Sequence, residues 1–169
     1  DDKLSTETAI SDSYITLQET SADNAETFTK EAADFIAANG DTSFASLTAL
    51  ALAKEATTHK DWSGAEKHLN TAIEKSVNDG IKAIASIRLA RVQIQTEQFE
   101  KALATLNTPL PASFLASVEV AKGDTYLLQG KKELARTAYQ TAIDNKGLET
   151  NPNLQMKLDD LAEVTVLTK

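Results

Sequence analysis

The chain has 169 residues, a formal net charge of −8, and 41% apolar against 25% charged side chains. That balance suits one ordinary folded domain or one short array of repeats and excludes a disordered polymer. The acidity argues against nucleic acid as a partner, because a phosphate backbone is repelled and the nearest basic stretch, Lys131-Lys132 with Arg136, is interrupted by Glu133.

There is no cysteine, which removes disulfides, thiolate chemistry and thiolate metal sites together and fits an oxidising compartment and many cytosolic proteins alike. Aromatic residues are only 5%, and an apolar set dominated by alanine and leucine leans helical. Uncharged runs such as Thr42 to Ala53 fall short of the ~20 apolar residues that span a bilayer. The opening Asp1-Asp2-Lys3 does not read as a signal peptide and fits mid-protein sequence.

In chain order, Ile10, Tyr14 and Leu17 recur at helical spacing within residues 4–19, and Phe28, Ala32, Phe35 and Ile36 do so within residues 24–39. They predict an opening helix pair over residues 1–40. Asn39-Gly40-Asp41 then reads as a stop followed by a cap for the next helix. Three helix-turn-helix units follow over residues 43–78, 81–108 and 112–146, separated by Asn78-Asp79-Gly80 and by Pro109-Leu110-Pro111. Asn151-Pro152 introduces a closing helix over residues 151–168, with Leu154, Leu158 and Leu161 on one face. The expectation is one all-α domain of about nine helices.

The three units are copies of one another. From Ala65 the offsets of four, seven and eight residues reach Leu69, Ala72 and Ile73, and from Ala135 they reach Tyr139, Ala142 and Ile143. Ala102 anchors the middle copy, with Leu106 at the first offset. The anchors are 37 and 33 residues apart, close to the ~34-residue period of tetratricopeptide (TPR) repeats, whose second helix has this alanine-large-alanine spacing. Twelve residues before the anchors stand Ala53, Ala90 and Gly123, all small, as expected where two helices cross closely. Five before them stand Lys60, Glu97 and Gly130, so only the third copy has the glycine expected to close a helix with positive φ. The pattern predicts a TPR-like α-solenoid, best preserved from Gly123 to Ile143.

Further stretches carry a more specific resemblance. SIRLARVQIQ (Ser86 to Gln95) with the following KALATL, GDTYLLQGKKELARTAY, LQMKLDDLA (Leu154 to Ala162) and the earlier EAADFIAANGDTSFASLTALALAK are similar to the YfgM family, ancillary subunits of the SecYEG translocon. The resemblance runs from about Glu31 onward. It implies a periplasmic TPR domain at the bacterial inner membrane, anchored through an upstream transmembrane helix absent from this chain. The implied partners are the SecYEG translocon and the membrane-anchored chaperone PpiD. A soluble TPR co-chaperone or assembly adaptor with another partner is the alternative.

No catalytic or cofactor site is expected. His59 and His68 flank a turn outside any nucleophile motif and read as solvent-facing helix ends. Asp159 and Glu163 are neighbours on a helix while Asp160 points elsewhere, which reads as a solvated face. Trp62 and Phe99, each just before a second helix, read as core of the repeat turn rather than as exposed anchors.

Function is expected on the face formed by the first helix of each unit. That face comprises Leu47, Leu50 and Lys54, then Ile84, Ile87, Arg88, Arg91, Ile94 and Gln95, then Val120, Asp124 and Leu127. Two readings stay open for it: a groove for a peptide segment, or core covered by the flanking helices. Arg88 and Arg91 suit a carboxylate, on a partner or, as an internal ion pair, on an adjacent helix.

Overall fold

The computed structural model describes residues 2–166. Among them are ten α-helices and no strand: α1 (Asp2–Asp23), α2 (Ala25–Ala38), α3 (Ser43–Thr58), α4 (Trp62–Lys75), α5 (Asp79–Gln95), α6 (Phe99–Leu106), α7 (Leu115–Leu128), α8 (Lys132–Asp144), the single turn α9 (Gly147–Thr150) and α10 (Leu154–Val166). A 3-10 turn at Ala112–Phe114 leads into α7. The chain divides into two compact units, Asp1–Ser86 and Ile87–Lys169. The division falls inside α5, which contributes residues to both.

In the first unit α1 and α2 form the opening pair. Asn24 starts α2, its side-chain oxygen accepting from the N–H groups of Glu26 (3.0 Å) and Thr27 (3.1 Å). Leu17, Phe28, Ala32, Phe35 and Leu52 bury together, with Ile10, Tyr14 and Phe44 half-buried at the edge. The Tyr14 ring meets Phe35 at 6.2 Å and Phe44 at 5.0 Å, both tilted, the tilted arrangement that aromatic quadrupoles favour. The opening pair is thereby tied to α3. Asp41 does not cap α3; Thr42 does, accepting from the Ala45 N–H at 3.3 Å.

The α3–α4 pair is built on small residues. Ala45, Ala49 and Ala53 on α3 and Ala65 and Ala72 on α4 are buried, and without bulky side chains the two helices approach closely. Asp61 caps α4 by accepting from the Gly64 N–H at 2.9 Å.

In the second unit the C-terminal half of α5 packs with α6 and α7 through Ile87, Ala90, Ala102, Leu106, Val118 and Ala121. Thr105 on α6 donates to Gln93 Oε1 on α5 at 2.8 Å, satisfying a buried polar group. The α7–α8 pair repeats the arrangement. Gly123 is required there, since a Cβ at that position would collide with the Tyr139 ring. Helix α10 then covers α7 and α8 with Leu154 and Leu161, which bury against Val120, Ala135, Tyr139 and Ala142.

All three repeat turns share one backbone geometry. Lys60 and Glu97 both have φ of 59°, and Gly130 has 73°. In each turn that residue donates three positions back, to Thr57, Ile94 and Leu127, at 3.0, 3.0 and 2.9 Å. The next residue donates five back, from Asp61 to Ala56, Gln98 to Gln93 and Lys131 to Tyr126, at 2.8, 2.7 and 2.8 Å. This is the Schellman pair of bonds. The turn is therefore left-handed in every copy, including the two that lack glycine.

Candidate protein-binding site

The first helices of the units differ in how much surface they leave open. On α5, Ala83, Ala85, Ser86, Ile87, Leu89, Ala90, Val92 and Gln93 are buried. Between Ala83 and Gln95 only Ile84, Arg88, Arg91 and Gln95 are exposed, and their spacing of four, three and four places them along one face of a helix. Ile94 is half-buried at the edge of this stripe.

The structure buries three of the positions expected on an open face. Leu50 is 8% exposed on α3, Ile87 is 6% exposed and Val120 is 8% exposed. Ile87 lies one residue off the stripe, on the flank that meets Ala90, Ala102 and Leu106. Val120 is covered by Leu154 and Leu161 of the closing helix. Leu47 is half-buried, Lys54 is exposed, and Leu127 is 40% exposed at the end of α7.

Asp124 is engaged within the unit. Its Oδ1 accepts from the Tyr139 hydroxyl and from Lys157 Nζ, both at 2.6 Å, and Lys157 Nζ stands 5.6 Å from the centre of the Tyr139 ring. Three helices, α7, α8 and α10, meet at this carboxylate. Burial, then the hydrogen bond to Asp124 and its negative charge, hold the Tyr139 phenol far above the usual tyrosine range. Lys157 was the residue sequence reasoning passed over. Its signal was its place between Leu154 and Leu161, three and four residues away, on the stripe that packs rather than on the solvated face.

Arg88 and Arg91 do not form the internal ion pair expected of them: among the described residues no carboxylate lies within 4.0 Å of either. Arg136, the remaining arginine, is held by Glu133 (3.3 Å) and donates to the Leu161 carbonyl (3.1 Å).

The other candidates are ordinary. His59 caps α3 with Nδ1 3.0 Å from the Glu55 carbonyl oxygen. His68 is not at a helix end but within α4, half-buried, and burial, then the charge of Lys67, depresses its pKa against an opposing pull from Asp61. Asp159 accepts from Gln155 at 2.9 Å, Asp160 is exposed, and the Glu163 side chain lies outside the described residues. Among the described residues no group of histidines and carboxylates could hold a metal ion, and no helix is long and apolar enough to cross a membrane. Trp62 and Phe99 are the first residues of α4 and α6 and are half-buried rather than core; a helix start leaves one side of such a ring facing solvent.

Paired helices with small residues at their crossings, a shared left-handed turn and a covering end helix define a helix-turn-helix repeat array. The sequence model of the tetratricopeptide repeat-like domain matches residues 2–163, and the chain belongs to that family. Its relatives include a Haemophilus influenzae protein, 34% identical over 127 residues, which make up 75% of this chain and 62% of that protein. An Escherichia coli relative is 30% identical over 135 residues, 78% of this chain and 64% of its own length. A Neisseria gonorrhoeae relative is 37% identical over 102 residues, 57% and 47% of the two chains. All three are named ancillary SecYEG translocon subunits, the group that the stretches from Glu31 to Ala162 resemble. The chain spans less than two thirds of the length of each of these relatives.

Proposed function

We propose that this chain is the protein-binding part of an ancillary SecYEG translocon subunit, a scaffold that performs no chemistry. On this reading the native protein stands on the periplasmic side of the bacterial inner membrane, held by a transmembrane helix upstream of Asp1. It links the translocon with the chaperone PpiD near proteins emerging from the channel. The observation that carries the reading is the relatedness over 127 residues to a protein named for that role. The structure supports it with what a scaffold needs. Its helices are held by packed small-residue crossings and a closing helix, and α5 presents one narrow exposed stripe of side chains. Arg88, Arg91, Ile94, Gln95, Leu127 and, in the first unit, Leu47, Lys54 and Ile84 are the positions through which it acts.

The test is photo-crosslinking in living bacteria from the full-length protein, with the crosslinker placed at Arg91 and at Leu127. Capture of a translocon subunit and of PpiD from both positions is the expected result. A full-length protein that captures neither, and that yields neither when purified from detergent-solubilised membranes, removes the proposal.

A further inference from the structure

We propose that the exposed stripe of α5 within the second unit, Arg88, Arg91 and Gln95 with Ile94 at its edge, docks an acidic segment of a partner protein, each guanidinium taking a carboxylate. This rests on the reading above and names the chemistry of the segment that the scaffold takes.

The two arginines stand three residues apart on one helix face and are exposed. Like charges at that spacing destabilise a helix. Nothing in the described molecule offsets this, for neither arginine has a carboxylate within 4.0 Å. Arg136 shows the contrast, being tied to Glu133 and to the Leu161 carbonyl. The residues of α5 that flank the stripe are buried, so the two guanidiniums stand on a packed helix. A planar guanidinium binds a carboxylate through two parallel N–H···O bonds, which a lysine cannot do. Gln95, one turn beyond Arg91, offers an amide that can both donate and accept. Ile94 offers apolar area beside it. The complementary segment carries two carboxylates about one helical turn apart with an apolar side chain next to them. A polyanionic nucleic acid fits less well, because two arginines on one helix face do not make the extended basic stretch that a phosphate backbone takes.

The test uses the 169-residue chain and a fluorescein-labelled peptide of alanine, leucine and glutamate, its glutamates one helical turn apart. A control peptide has glutamine at the same places. Anisotropy should show the glutamate peptide bound more tightly than the control, with affinity falling as salt is raised. In the variant R88E/R91E that affinity should drop roughly tenfold or more, and a lysine version of the peptide should bind the variant in place of the glutamate one. Circular dichroism and a melting curve establish that the variant folds. Equal binding of the glutamate and glutamine peptides, or undiminished binding by the folded variant, overturns the proposal. Displacement of the peptide by single-stranded DNA at equal concentration also overturns it. Crosslinking from Leu127 separates this from the broader reading. Full-length R88E/R91E that still captures translocon partners as wild type does leaves the scaffold standing and removes the arginine stripe. Loss of capture in the variant alone supports both.

Discussion

Lys60 and Glu97 hold φ of 59° at positions where glycine has no steric penalty. An L-residue in the left-handed region costs about 1–2 kcal/mol, partly offset in any glycine replacement by the larger entropy of the unfolded chain. Lys60→Gly and Glu97→Gly are each expected to stabilise the fold by about 0.5–1 kcal/mol in urea denaturation. At Gly130 the side space is empty, with nothing within 4 Å of an added Cβ. Gly130→Ala should therefore destabilise by about 1 kcal/mol through the backbone alone. If that variant is neutral, strain is not what the turn stores. Tyr139 acts through its proton. Its folded-state pKa is raised, so the folded chain holds a proton that the unfolded chain releases above about pH 10. The sign follows: its contribution is full below about pH 10 and declines as the pH rises further. Wild type should lose melting temperature faster than Tyr139→Phe between about pH 9 and pH 11.

At the scale of elements, the three crossings show one space filled in two ways. At the corresponding positions the first two units have alanine on the first helix and leucine on the second, Ala53 and Leu69, Ala90 and Leu106, while the third puts Gly123 under Tyr139. Gly123→Ala forces the ring to move and should cost about 1–3 kcal/mol. Combining it with Tyr139→Leu, which restores the pairing of the other units, should cost less than the sum of the two single changes, as a double-mutant cycle in urea will read. This compensation was half-legible beforehand. The small residues stood at the right interval, but the interval alone carries no information about which second-helix side chain each one faces. The closing helix was legible as an apolar stripe, yet its effect on Asp124 was not, because Lys157 reaches Asp124 across 33 residues of sequence. Leu154→Ala, at a fully buried position, should destabilise by about 2–5 kcal/mol and speed amide exchange in α8 and α10 together.

Across the whole chain, charge is unevenly placed. Residues 1–41 hold ten carboxylates and two lysines, which accounts for the entire net charge of −8, and the remaining residues are balanced. Among the described residues none of these carboxylates forms an ion pair. Among the described side chains of α1 one is buried, Leu17, while Leu4 and Ile15 are 71% and 53% exposed. An element with little burial and strong self-repulsion opens easily. Raising the salt from about 10 mM to 300 mM shortens the screening length from about 30 Å to 6 Å. That should slow amide exchange in α1 and α2 while leaving α7 and α8 nearly unchanged. Equal slowing in both would refute the electrostatic origin.

The sequence alone determined the helical class, the repeat-like periodicity and the small residues at the crossings. All of these follow from periodicities within a helix and from intervals between helices, which are local or repeated and therefore visible in one dimension. Which positions stay open was decided only in three dimensions. Ile87 and Val120 sit one residue or one covering helix away from the surface, Asp124 is taken by a lysine from the closing helix, and no described carboxylate lies within 4.0 Å of Arg88 or Arg91. Burial and charge pairing depend on what arrives from a distant part of the chain. A helical period says which residues share a face, and only packing says what covers it.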